Sequence, residues 1–270
     1  MSQEKSNEVI LAANHLVKTY TQAAGRFGLG SNQIKALDDV SIALKAGSTL
    51  AVVGESGSGK STLARCLLQL HPFDSGEVLF EGVDLAKLDK NALRVKRQHL
   101  QMVFQDPFAS LNPRMKVGEI VGEGLLIHGL GSATEQKDKT LQMLVKVGLQ
   151  ADDAQKYPHQ FSGGQRQRIG IARALVLQPK VVVCDEPVSA LDVSVQAQIL
   201  LLLKELQAEM NLSYIFISHD LRVVRHIADE IVVMNAGKIV ESGSIEAVYN
   251  APQQPYTQQL LSAIPGRKAA

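Results

Sequence analysis

The sequence predicts an α/β fold built on a parallel sheet, with an antiparallel β layer and an inserted helical segment. Three observations carry this. Short β-rich runs alternate with helical patterns along the chain. Several of those runs are apolar throughout, as expected of strands covered on both faces. From about Pro107 to Leu177 the pattern is helical, with sheet runs on either side.

In chain order, VILAANHLV and VLFEG read as the antiparallel layer, and TQAAGRFGLGSNQ (Thr21 to Gln33) as a Gly-rich hairpin loop. TLAVV (Thr49–Val53) is the first buried strand and runs through a glycine-rich turn into the helical pattern LARCLLQL. QMVF (Gln101–Phe104) precedes the helical insertion. VVVC (Val181–Cys184), YIFI (Tyr214–Ile217) and IVVM (Ile231–Met234) follow it as further core strands. The tail NAPQQPYTQQLLSAIP is punctuated by Pro252, Pro255 and Pro265, with a short helix between. The expected division is a core over 1–106, a helical subdomain over 107–177, a second part of the core over 178–250 and a tail over 251–270.

Composition narrows the function classes. At 270 residues the chain has room for one large domain or two small ones. Its net charge of +1 gives no global basic surplus for nucleic acid, and the absence of Trp argues against base-stacking platforms. The two cysteines, Cys66 and Cys184, lie in apolar surroundings outside any CxxC pair, which fits a reducing compartment. MSQEKSNEV lacks the apolar core of a secretory signal. The longest aliphatic run, Ile199 to Leu203, is soon followed by Lys204 and Glu205, so no run spans a bilayer. A soluble protein is expected, held at a membrane only through another subunit.

Four stretches carry chemistry. TLAVVGESGSGKST places GxxxxGKS between a buried strand and a helix, the context that supports a phosphate-binding loop. Gly54, Glu55, Ser56, Gly57, Ser58, Gly59, Lys60, Ser61 and Thr62 make up this loop. Its backbone N–H groups wrap phosphate oxygens, Lys60 reaches the terminal phosphates and the Ser61 hydroxyl is a Mg²⁺ ligand. VVVCDEP ends a strand in two carboxylates. Asp185 suits Mg²⁺ and Glu186 suits polarising an attacking water; taken alone the pair reads more readily as a solvated acidic turn, and the phosphate loop tips the balance. YIFISHD puts His219 past the end of another strand, where ligands of parallel sheets gather, and Gln105 lies likewise past QMVF. FSGGQRQRIGIARAL (Phe161–Leu175) opens a helix with Ser162 and Gln165 at capping-box spacing, yet Gly163 and Gly164 fill its first turn. Glycine costs about 1 kcal/mol there relative to alanine, so an anion site is the alternative to a plain cap. Arg166, Arg168 and Arg173 add charge for acids, phosphate or solvent.

These pieces, in this order, resemble the nucleotide-binding subunit of ABC transporters over nearly the whole chain. Gly54 to Ser61 matches the Walker A motif, Gln105 the Q-loop and Val182 to Glu186 the Walker B motif. FSGGQ matches the signature, with Phe161 in place of the commoner Leu. Ser189, Ala190, Leu191 and Asp192 match the D-loop and His219 the H-loop. The resemblance implies a P-loop NTPase core of the RecA-like kind, with ATP and Mg²⁺. Glu186, His219, Gln105 and Lys60 are then catalytic, and Ser61, Gln105 and Asp185 hold the metal. Tyr20 falls where the family places an aromatic on adenine, beside the reading of a simple strand-end tyrosine. QDPFASLNPRMKVGEIV, the long hairpin and PQQPYTQQLLSAIPG are similar to the oligopeptide and dipeptide importer branch, the second or F-type ATPase above all. Nickel-chelate or opine uptake is the alternative substrate class, and a soluble ABC ATPase switch the alternative function.

The resemblance further implies a dimer sandwiching two ATPs, with Ser162, Gly163, Gly164 and Gln165 acting in trans on the partner's nucleotide. The second ATPase is expected to be a different chain. Two permease subunits and an extracytoplasmic substrate-binding protein complete the assembly, with no nucleic acid. The chain would lie peripherally on the cytoplasmic face of the bacterial inner membrane.

Overall fold

The computed structural model describes residues 8–22 and 32–264. Its elements in chain order are β1 (Val9–Gln22), β2 (Asn32–Lys45), β3 (Thr49–Val53), α1 (Lys60–Leu67), β4 (Ser75–Phe80), β5 (Val83–Asp84), α2 (Lys90–Arg97) and β6 (Leu100–Val103). There follow α3 (Pro107–Ser110), α4 (Val117–His128), α5 (Ala133–Lys146), α6 (Gly163–Leu175), β7 (Val181–Asp185), α7 (Val193–Met210) and β8 (Ser213–Ser218). The chain then adds α8 (Leu221–Ile227), β9 (Glu230–Asn235), β10 (Lys238–Ser244), α9 (Ile245–Asn250) and α10 (Pro255–Ser262). Two compact units emerge, Met1–Leu88 with Tyr214–Ala270, and Asp89–Ser213.

In the first unit, β2-β1-β4-β5 form an antiparallel sheet, with Leu11, Leu16, Leu37, Leu44 and Phe80 fully buried beneath it. β3 pairs in parallel with β8 on one side and β9 on the other, and β10 closes back antiparallel on β9. All five residues of β3 and all six of β8 are buried. That double-sided burial is why these strands read as unbroken apolar runs. The β9–β10 turn places Ala236 and Gly237 at φ 46° and 81°, the left-handed pair that a two-residue hairpin requires. The connection between β1 and β2, expected as a hairpin loop, lies mostly outside the described residues, as does Pro265.

In the second unit, β6 and β7 form a parallel pair, Leu100 opposite Val181 and Val103 opposite Cys184. Helices α3 to α6 occupy the stretch expected to be helical, and α7 follows β7. Each longer helix starts at a side-chain cap where the sequence supplies one. Ser132 accepts from the Glu135 N–H at 3.4 Å to open α5, and Asp192 accepts from the Val195 N–H at 3.0 Å to open α7. Gly129, at φ 64°, ends α4. The sequence places its subdomain breaks at 106/107 and 177/178, whereas the compact units divide at 88/89 and 213/214. The difference is that β6 and β7 travel with the helices packed on them.

Candidate functional site

Each unit carries its own share of the motifs. In the first, β3 delivers Gly54 at the mouth of the phosphate loop. A Cβ on Gly54 would lie 2.1 Å from the backbone oxygen of Met234 in β9, and φ is +150°, so only glycine fits. The loop is tied down at both ends. The Gly237 N–H of the β9–β10 turn donates to the Ser58 carbonyl at 3.0 Å, and the Glu55 N–H donates to the Tyr256 hydroxyl of α10 at 3.1 Å. Lys60 is 5% exposed, and its ammonium donates to the carbonyls of Gly54 and Glu55 at 2.8 Å each. A buried cation is thus held in the loop by backbone dipoles, which is the electrostatic requirement for receiving phosphate oxygens. No side chain caps α1, which starts at Lys60 behind a left-handed Gly59. Its N-terminus therefore presents main-chain donors and the positive end of the helix dipole.

Ser218 pairs with Val53 in the parallel register, so His219 and Gly54 each stand one residue past the ends of adjacent strands. His219 is exposed at that edge, followed by Asp220, whose carboxylate accepts from the Arg222 N–H at 2.9 Å and caps α8. Tyr20 is half-buried near the end of β1, opposite Ile34. Its hydroxyl lies 3.2 Å from His71 Nδ1, and the Lys18 ammonium stands 5.4 Å from its ring centroid.

In the second unit, β7 ends at Asp185, which is 4% exposed. Glu186 follows at φ 46°, a conformation that costs a non-glycine residue about 1–2 kcal/mol. Strain of this size persists where surrounding structure enforces it, and it aims Glu186 away from the path of the strand. The Gln105 amide, two residues past β6, donates to Glu186 Oε2 at 3.1 Å. Parallel pairing of β6 and β7 therefore brings Gln105 and Glu186 together. Ser189 Oγ donates to the Glu186 carbonyl at 3.1 Å, and the Leu191 N–H donates to the Val188 carbonyl at 3.2 Å, which turns the chain into α7.

The FSGGQ stretch forms the capping box its spacing suggests. Ser162 Oγ accepts from the Gln165 N–H at 3.3 Å, and the Ser162 N–H donates to Gln165 Oε1 at 3.0 Å. Ser162 remains exposed. The two glycines differ. A Cβ on Gly163 would meet Leu191 at 3.5 Å, an ordinary contact, whereas one on Gly164 would meet Val195 Cγ1 at 2.5 Å. Gly164 thus has a packing role that the sequence alone does not show, because Val195 is remote along the chain. The arginines, which the sequence leaves open between acids, phosphate and solvent, bind main chain. Arg166 donates to Pro158 O at 2.8 Å, Arg168 to Val147 O at 2.6 Å and Arg173 to Ser110 O at 2.6 Å. The Arg166 guanidinium also lies 4.0 Å from the Phe108 ring centroid.

The oxygen donors suit Mg²⁺. In the second unit Asp185 offers a carboxylate and Gln105 an amide carbonyl, and in the first Ser61 offers a hydroxyl, all oxygen donors. Mg²⁺ takes one or two carboxylates and completes its shell with phosphates and water, so donors of these kinds match its chemistry.

The ABC transporter family model matches residues 37–189. The chain belongs to the ABC transporter family. It is therefore an ATP-binding cassette that hydrolyses ATP, on a P-loop NTPase fold with an antiparallel β layer and a helical subdomain. It is 54% identical over 256 residues to the dipeptide transport ATP-binding protein DppF of Escherichia coli, covering 95% of this chain and 76% of that protein. It is 49% identical over 261 residues to the oligopeptide transport ATP-binding protein AppF of Bacillus subtilis, covering 96% and 79%. Among solved structures, the post-hydrolysis dimer of the ATP-binding cassette MJ0796 with ADP and Pi is similar, with a TM-score of 0.76 and 30% identity, covering 87% of this cassette and 98% of that chain. No helix among the described residues is long and apolar enough to cross a membrane. Beyond the expected residues, the structure adds Tyr256 and Gly237 as partners of the phosphate loop. Both lie far from it in sequence; Tyr256 falls within PQQPYTQQLLSAIPG, a stretch whose composition gives no sign of contact with the loop.

Proposed function

We propose that this cassette powers the uptake of di- and oligopeptides through a membrane permease. The observation that carries this is the near full-length similarity to ATPases named for dipeptide and oligopeptide transport. The phosphate loop, with Lys60 and Ser61, binds the phosphates of ATP. Ser61, Asp185 and Gln105 would hold Mg²⁺, which would neutralise phosphate charge. Tyr20 supports the base. Glu186, steered by Gln105, accepts a proton from the attacking water, and His219 orients the γ-phosphate end of the reaction.

The signature residues Ser162, Gly163, Gly164 and Gln165 act on ATP bound by a partner ATPase, which is a different chain. The exposure of Ser162 at the helix start supports this reading. ATP favours the closed dimer and hydrolysis releases it, and two permease subunits convert this cycle into alternating access. A substrate-binding protein outside the membrane selects the peptide, while this cassette stays peripheral on the cytoplasmic face of the inner membrane.

The test is dipeptide uptake by cells lacking the chain. Labelled dipeptide should accumulate again when the wild-type chain is returned, and not when Glu186→Gln is returned. In purified complex that variant should lower turnover by about 10²–10⁴-fold while retaining ATP. Unchanged uptake in the deleted cells would remove the peptide assignment, and full turnover by Glu186→Gln would remove Glu186 as the base.

A further inference from the structure

We propose that Tyr256, in the C-terminal helix α10, is a positioning residue for the phosphate loop, holding it in the shape that binds nucleotide. The inference rests on the reading of Gly54 to Thr62 as the ATP phosphate site.

Tyr256 is the second residue of α10, and its hydroxyl accepts from the Glu55 N–H at 3.1 Å, across 201 positions of sequence. That N–H belongs to the loop itself, one residue past Gly54. The helix that presents the tyrosine is fastened to the core of the same unit. The Glu241 carboxylate on β10 accepts from the backbone N–H groups of Gln253 and Gln254 at 2.8 and 3.1 Å. Thr257 and Leu261, on the inner face of α10, are 1% and 2% exposed. Pro255 fixes the first turn, so the position of the ring follows from the anchored entry of the helix.

The Gly237 N–H, donating to the Ser58 carbonyl at 3.0 Å, holds the loop from the other side. The two ties grip opposite ends of the segment Glu55–Ser58, whose middle residues Ser56 and Gly57 are exposed. A glycine-rich loop has large conformational freedom, and restraining it before phosphate arrives lowers the entropy lost on binding. The hydroxyl thus makes the tail part of the nucleotide site, reaching the loop through the Glu55 main chain.

The experiment uses the full-length chain, Tyr256→Phe, and Lys60→Ala as a control, with Mg²⁺ and a fluorescent ATP analogue. Removing the hydroxyl should raise the Kd about three- to tenfold, the worth of one hydrogen bond. Hydrogen exchange should accelerate in the peptide holding Glu55 and stay unchanged in α10 and β10, because the phenyl ring keeps its packing. An unchanged Kd for Tyr256→Phe would overturn the proposal, as would tighter binding, which would make the hydroxyl a competitor of phosphate. Faster exchange throughout α10 would also overturn it, by reducing the tyrosine to a helix-docking role. Lys60→Ala separates the two layers. If it too leaves nucleotide affinity intact, the phosphate-loop reading itself fails. If it abolishes binding while Tyr256→Phe is silent, only the tail's role fails.

Discussion

At the residue scale, the two glycines of FSGGQ make different predictions despite their shared motif. Alanine at either position should improve the helix by about 1 kcal/mol on propensity. At Gly163 the added methyl meets Leu191 at 3.5 Å, so the gain should survive. At Gly164 it meets Val195 Cγ1 at 2.5 Å, and valine on a helix has little rotamer freedom with which to retreat. Overpacking of that kind costs about 1–3 kcal/mol. Urea unfolding should therefore show Gly163→Ala at or above wild-type stability and Gly164→Ala below it. Equal stabilities would show that the signature glycines are kept for ligand access alone. The expense of glycine was readable from the sequence, and so was the cap. The crowding against Val195 was not, because it depends on how α6 and α7 cross. The positive φ of Glu186 was hidden for the same reason, since glutamate in a D-E-P run gives no local sign of left-handed backbone.

At the element scale, legibility followed burial. β3, β7, β8 and β9 are buried over most of their length, and each appears as an apolar run within about one residue of its observed ends. β10 escaped notice because its residues are half-buried or exposed, so KIVESGS carries no apolar pattern. β2 alternates buried Val40, Ile42 and Leu44 with exposed Ser41 and Ala43, but Gln33 to Lys35 are exposed, so no apolar run marks the strand. The two cysteines report on this burial directly. Cys66 lies on the inner face of α1 and Cys184 within β7, both fully buried. Burial pushes the Cys66 thiol up to about 11, and that of Cys184 further still. A thiolate is the reactive species, so neither should react with an aromatic disulfide reagent at pH 8 in the native protein. Both should react after denaturation. A native thiol that reacts within minutes would mean that α1 or β7 opens on that timescale.

At the scale of the whole molecule, the question is why a chain with its own phosphate loop carries a second anion-competent helix start. Within its unit, FSGGQ is packed on one side, with Gly164 against Val195 and Gly163 near Leu191. On the other side, Ser162 is exposed, and its side chain bonds its capping partner Gln165. A helix N-terminus of this kind suits the terminal phosphate of a nucleotide held by another subunit, as the proposed function requires. Ser162→Arg discriminates this from a purely local cap. Losing a cap costs about 1 kcal/mol, too little to unfold a domain. The fold and ATP binding at the phosphate loop should therefore persist, with Kd within about twofold of wild type. A bulky cation where a phosphate must approach should nevertheless lower turnover in the assembled ATPase by about 10²–10³-fold, the loss seen when one transition-state donor is removed. Mixing the variant with a partner carrying an intact signature should leave the site formed by that partner's signature active. If Ser162→Arg instead lost nucleotide at its own phosphate loop while turnover at the partner's nucleotide continued, the signature would act in cis, and the dimer would be an accessory to catalysis.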